Sequence, residues 1–204
     1  MDAALSSNLG DRATRAAALV WAPLVLVALT ALASGCQRGA QPRQPSGDER
    51  SRSALAGASP ESASYRIDGR VVALHDGKHA EPAAPGSAAL DTTSVWGTPI
   101  TADLDGDGDQ DAVVIIATEP SGSGTFYYVA VAELDGGAYT GSAGLLLGDR
   151  IAPRRVTFAD GIVTVDYAER RPGEPMSAQP TVTTSKRFVY RNGVLQPLEA
   201  DKRF

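Results

Sequence analysis

From Tyr65 onward the chain offers runs of five to nine residues rich in Val, Ile, Thr, Tyr and Phe, punctuated by Asp-Gly and Asn-Gly. The runs read "YRIDGRVVALHDG", "TPITADL", "DAVVIIAT", "TFYYVAVAEL", "AYTGSAGLLLGD", "RRVTFADG", "IVTVDYAER", "TVTTSKRFVYRNG" and "VLQPLEA". Two-residue hairpin turns of type I′ need positive φ at both central positions, which Asp-Gly and Asn-Gly supply at little cost. No apolar period of 3.6 persists over eleven residues. The nearest helical stretch, around 80–92, carries Pro82, Pro85 and Gly86, which oppose it, so a short helix over 86–92 is all that the pattern allows. The expectation is a mainly β protein over 64–204: a single domain of antiparallel hairpins or a meander with few or no helices, after a signal peptide and a disordered linker.

Upstream the character changes. Arg12 and Arg15 precede the apolar run "AAALVWAPLVLVALTALASG", and the next charge is Arg38. A basic start, an apolar segment and small residues at its end define a secretory signal, predicted over 1–35. Cys36 follows directly and is the sole cysteine, so no internal disulfide can form. "LASGC" resembles a bacterial lipobox, in which the cysteine is lipidated and becomes the mature N-terminus. That resemblance implies a lipid-anchored protein of the cell envelope outside the cytoplasm. Gln37 after the cysteine resembles outer-membrane sorting where the host has two membranes. An uncleaved signal anchor is the other reading, because about 20 apolar residues also span a bilayer. Residues 37–63 are rich in Pro, Gly, Ser, Ala and charge, the composition of a disordered tether, so 36–63 is read as lipidated cysteine plus tether.

The formal net charge is −5, and the five aspartates of "DLDGDGDQD", residues 103–111, equal it. Away from that loop the balance gives no nucleic-acid surface. In the loop, Asp103, Asp105, Asp107 and Asp111 stand at positions 1, 3, 5 and 9, and Gly108 stands at position 6. A calcium ion takes six to eight oxygens, several of them anionic, and alternate residues of a tight loop point inward. The spacing predicts one calcium ion, bound by those four carboxylates and the Asp109 carbonyl. Magnesium or manganese, and a solvated turn that binds nothing, are the competing readings. Val114 occupies the place of the final EF-hand acid, so this is no helix–loop–helix. The "DLDGDGDQDAVV" run resembles instead the strand–loop–strand calcium loops of FG-GAP and VCBS-type repeats. That resemblance implies a structural ion whose last side-chain oxygens come from the fourth acid, Asp111. The motif occurs once, whereas those repeats build propeller blades.

The blocks "GSGTFYYVAVAELDGG", "LLLGDRIAP" and "DGIVTVDYAERRPGEPM" resemble a group of uncharacterised bacterial secreted proteins and lipoproteins, which implies a fold and an address but no reaction. His75 and His79 flank a predicted turn and read as surface residues, not a zinc pair. Ser121 and Ser123 read as turn formers, and Asp149–Arg150 as an ion pair closing a turn. Phe126 and Tyr128 point to one side of their strand and Tyr127 to the other. A core role is favoured for these rings over an aromatic face shared with Tyr167 or Tyr190. The loop 169–180, "ERRPGEPMSAQP", is the longest polar insertion, and Arg170, Arg171, Glu174 and Met176 are its candidate partner-binding residues. The functional expectation is a calcium-stabilised β domain, tethered by lipid to the membrane, that binds an envelope protein or glycan or serves the envelope structurally, without catalysis. The alternative is a secreted metal-dependent hydrolase using the Asp-rich loop.

Overall fold

The computed structural model describes residues 56–122 and 124–198. The predicted signal peptide, Cys36, the tether as far as residue 55 and Ser123 lie outside the described residues. Among the described residues thirteen strands follow one another: β1 (Ala56–Gly57), β2 (Ser64–Ile67), β3 (Arg70–Ala73), β4 (Lys78–Pro82), β5 (Leu90–Ala102), β6 (Asp111–Glu119), β7 (Phe126–Asp135), β8 (Ala138–Gly141), β9 (Leu145–Asp149), β10 (Ala152–Ala159), β11 (Ile162–Glu169), β12 (Val182–Arg191) and β13 (Val194–Leu198). The described residues contain no α-helix, only a 3₁₀ turn at Pro60–Ser62, and no helix long and apolar enough to cross a membrane. The mainly β, antiparallel, single-domain expectation holds.

The turns are the ones the dipeptides dictate. Asp68-Gly69, Asp76-Gly77, Gly136-Gly137, Asp160-Gly161 and Asn192-Gly193 all have positive φ at both positions. That mirror-image turn matches the right-handed twist of the strands it joins. Each of these turns therefore closes with local chemistry alone.

Three layers result. A seven-stranded sheet runs β1-β8-β7-β6-β5-β4, with β9 also paired to β7. On one of its faces lies the β2–β3 hairpin, and on the other the four-stranded meander β10-β11-β12-β13. Strand β6 is central. Its Ala112, Val114 and Ile116 pack with Tyr65, Ile67, Val72 and Leu74 under the hairpin, while Val113 and Ile115 pack with Val163, Val165, Tyr167 and Phe188 of the second sheet. A strand covered on both faces has no polar side to alternate with, which is why "AVVIIA" is an unbroken apolar run.

Two expectations need correction. Residues 86–92 form no helix. Strand β4 ends at Pro82, the chain turns through 83–89, and β5 starts at Leu90. The turn is closed by the Ala83 N–H on the Ala89 carbonyl and the Ser87 N–H on the Ala84 carbonyl, with Pro85 and Gly86 between them. The pairing of β4 with β5 (Lys78↔Ser94 to Pro82↔Leu90) was hidden because both strands are polar and only half-buried. Secondly, the tether does not extend to 63. Residues Ala56–Gly57 pair with β8, Ala63 is buried, and a side chain at Gly57 would collide with the Ser62 carbonyl. Small residues here have linker composition but serve close backbone approach. The core role favoured for the aromatic rings holds. Tyr128, Tyr167 and Tyr190 are buried, with Phe126 and Tyr127 packed against the two cores on opposite sides of β7.

Candidate metal centre

Strands β5 and β6 run side by side to the pair Ala102↔Asp111, and the eight residues between them form the acidic loop. Leu104, 8% exposed, drops into the core between the two sheets and pins the loop to it. The sequence on its own marks Leu104 only as the spacer between two aspartates. With Leu104 turned inward, Asp103 and Asp105 project from the mouth of the hairpin. Gly106 and Gly108 take φ of +89° and +96°, and with these two reversals the loop folds back within a few residues.

The loop is ordered by its own carboxylates. Asp103 accepts the Gly106 N–H at 2.7 Å on Oδ1 and the Gly108 N–H at 3.2 Å on Oδ2. Asp105 accepts the Asp107 N–H at 3.1 Å, and Asp107 accepts the Asp109 N–H at 2.8 Å. Asp111 is different in kind, because it is fully buried. Its Oδ2 accepts the Leu104 N–H at 3.0 Å and its Oδ1 the Leu134 N–H at 2.9 Å. Since β6 begins at Asp111, the next N–H of β7 has no β6 backbone to pair with, and the side chain supplies the acceptor. One carboxylate thus ties the loop to two strands. Burial pushes its pKa up, the two backbone hydrogen bonds oppose that shift, and the charges of Asp105 and Glu133 add to it.

One oxygen each from Asp103, Asp105 and Asp111 lies within 4.8 Å of the others. Twice a calcium–oxygen distance of about 2.4 Å is about 4.8 Å, so three such oxygens can share one cation. A carboxylate oxygen that accepts one N–H keeps a second lone pair for a metal. These three residues fit a divalent ion. The predicted fourth carboxylate, Asp107, stands outside the group and is engaged with the Asp109 N–H instead, in an i to i+2 turn. Gly108 has the positive φ expected of it.

Beside the loop stands a group that spacing could not reveal. Glu133 of β7 accepts the Tyr190 hydroxyl of β12 at 2.7 Å, and the charges of Asp111 and Asp105 reach the same phenol. Tyr139 of β8 donates to the Gln110 carbonyl at 3.2 Å. The sequence offers Tyr190 only as a possible member of an aromatic face, and the fold brings it to the acidic end of β7.

The other candidates lie apart from this centre. His75 is exposed, and His79 Nδ1 sits 3.1 Å from the Ala73 carbonyl. Asp149 and Arg150 form the expected ion pair at 3.2 Å, and Asp149 also takes the Thr125 N–H. In the loop between β11 and β12, Arg170 donates to the carbonyls of Ala178 and Arg150, so its guanidinium ties the loop down. Arg171 pairs with Glu174 at 3.2 Å, and Met176 is 49% exposed. Ser121 donates its N–H to Asp91 at 2.7 Å. Compared with known proteins, the chain matches no family model, no curated protein and no solved structure.

Proposed function

We propose that this chain is a lipid-anchored protein of a bacterial envelope whose β domain is stabilised by one calcium ion and acts by binding or structural support, without catalysis. The observation that carries the calcium reading is the convergence of Asp103, Asp105 and Asp111 at the mouth of a core hairpin. The anchor rests on the sequence, where Cys36 follows "LASG". A structural role follows from where the loop sits: Leu104 and Asp111 belong to the protein interior, so an ion that holds the loop also holds β5, β6 and β7.

Chelator dialysis separates this from the hydrolase alternative. A structural ion gives a melting temperature that falls in chelator and recovers with calcium. At free calcium a hundred times the dissociation constant, the gain is about 2.7 kcal/mol. The titration must reach about 10⁻³ M, the weak end for extracellular sites. Calorimetry showing no binding at that level would sink the proposal. Loss of an esterase, phosphatase or glycosidase activity without loss of stability would favour the hydrolase. The anchor is read separately, by metabolic labelling with a fatty-acid analogue that Cys36→Ser abolishes.

A further inference from the structure

Charge is divided sharply between the four-stranded sheet and the part of the domain that precedes it. Residues 56–149 carry fourteen acids against three bases, whereas residues 150–198 carry eight bases against four acids. The second segment is the four-stranded sheet β10-β11-β12-β13 with its loops. Val163, Val165, Tyr167, Phe188, Tyr190 and Leu195 fill its inner face. Alternation then sends the neighbours of those residues to the outer face. Register confirms which side chains share it. Arg155, Asp166 and Ser185 are opposite one another across three strands, and Thr157, Thr164, Arg187 and Leu198 across four. Arg191 pairs with Val194 one turn further along. At the bulge after Pro153, Arg154 reaches across β11 to the Thr183 hydroxyl at 3.5 Å, on that same face.

The outer face therefore presents Arg154, Arg155, Arg187 and Arg191 against one carboxylate, Asp166, which takes the Ser185 hydroxyl. All four arginines are exposed, and among the described residues none is in an ion pair. Strand spacing and rise put Arg155 about 12 Å from Arg187, and Arg187 about 13 Å from Arg191. The charges spread along and across the sheet and do not converge on one point. That spacing suits a planar array of phosphates better than a single bound anion. Val194, 53% exposed, stands at the edge of the same face, where it can enter the interfacial layer.

We infer that the outer face of the β10–β13 sheet docks on an anionic lipid surface. The inference rests on the envelope-anchored reading above, because a tether holds the domain at high local concentration beside the bilayer. Each basic residue near such a surface contributes about fivefold, so four together give on the order of several hundredfold. An anchored domain needs no more to lie down on the membrane. The attraction is screened over about 8 Å at physiological salt, so docking must weaken as salt rises.

The test uses the full chain in vesicles of phosphatidylcholine, alone or mixed with phosphatidylglycerol, read by amide hydrogen exchange. In the anionic vesicles, exchange in 152–159 and 182–191 is expected to slow several-fold, and high salt should restore it. In neutral vesicles it should not slow. The variant Arg154→Gln/Arg155→Gln/Arg187→Gln/Arg191→Gln, with circular dichroism verifying its fold, should lose the effect, and Arg187→Gln/Arg191→Gln should lose part of it. Equal exchange in both vesicle types overturns the inference. So does slowing by dextran sulfate in solution but not by anionic vesicles, an outcome that assigns a soluble polyanion instead. Failure of the anchor reading appears elsewhere, as absent labelling of Cys36. The vesicle comparison survives it, because the apolar run before Cys36 enters both bilayers.

Discussion

Among the aspartates of the loop, two substitutions separate structural from metal-binding roles. Asp111→Ala strips the acceptor from two buried N–H groups, those of Leu104 and Leu134. Each orphaned donor costs about 1–3 kcal/mol. The variant should thus be less stable even in chelator, by roughly 2–6 kcal/mol of unfolding free energy. Asp105 is exposed and accepts only the Asp107 N–H. Asp105→Ala should leave the chelated protein almost unchanged and remove the calcium-dependent gain. Denaturant titrations of both variants, with and without calcium, read the difference, and equal behaviour in chelator would contradict the assigned hydrogen bonds. The repeating aspartates are legible in the sequence as ligand chemistry. Their division of labour is not, because it depends on which carboxylate is buried and which strand ends beside it.

At the level of elements, β6 bears the heaviest packing. Ile116 is fully buried under the β2–β3 hairpin, and the Tyr128 hydroxyl donates to Asp68 at the hairpin turn at 2.6 Å. Ile116→Ala should cost about 2–5 kcal/mol, measured as a shift of the denaturation midpoint. A loss below about 1 kcal/mol would mean that the hairpin does not cap that face. Hairpins joined by Asp-Gly and Asn-Gly could be read from the chain because their cause is local. Strands β4 and the first half of β5 could not, since polar half-buried strands carry no period and acquire their place from pairing. The kink at Gly97-Thr98-Pro99, where the register of β5 against β6 shifts between Trp96 and Ile100, is the same case. Pro99 lies in the bulge, where no ladder bond is asked of it.

Across the whole molecule, buried phenols link the layers. Tyr65 donates to the Pro60 carbonyl, Tyr128 joins the hairpin to the central sheet, and Tyr190 joins the second sheet to Glu133. In each, burial is the first cause that pushes the pKa up, followed by a neighbouring carboxylate: the Glu61 charge for Tyr65, the hydrogen bond to Asp68 for Tyr128 and that to Glu133 for Tyr190. A phenol whose folded pKa exceeds its unfolded value contributes stability that is complete below about pH 10 and lost as pH rises through the folded value. Alkaline unfolding should therefore begin above about pH 10. At least three of the six tyrosines should ionise only with that transition. Absorbance of phenolate followed beside circular dichroism tests this: full ionisation ahead of loss of strand signal would contradict the packing.

What the sequence determined by itself is the local part. Alternation and turn dipeptides dictate antiparallel hairpins, and the spacing of Asp103, Asp105, Asp107 and Asp111 marks a loop that could hold a cation. Tertiary structure alone decided the rest. It turned Asp107 away from the triad, buried Asp111 against two strands, brought Glu133 and Tyr190 beside the loop, and gathered four arginines on one face of the second sheet. The reason is physical: a turn or a loop answers to neighbours within a few residues, whereas burial, layer contact and the sign of a surface depend on side chains that meet only when distant strands pair.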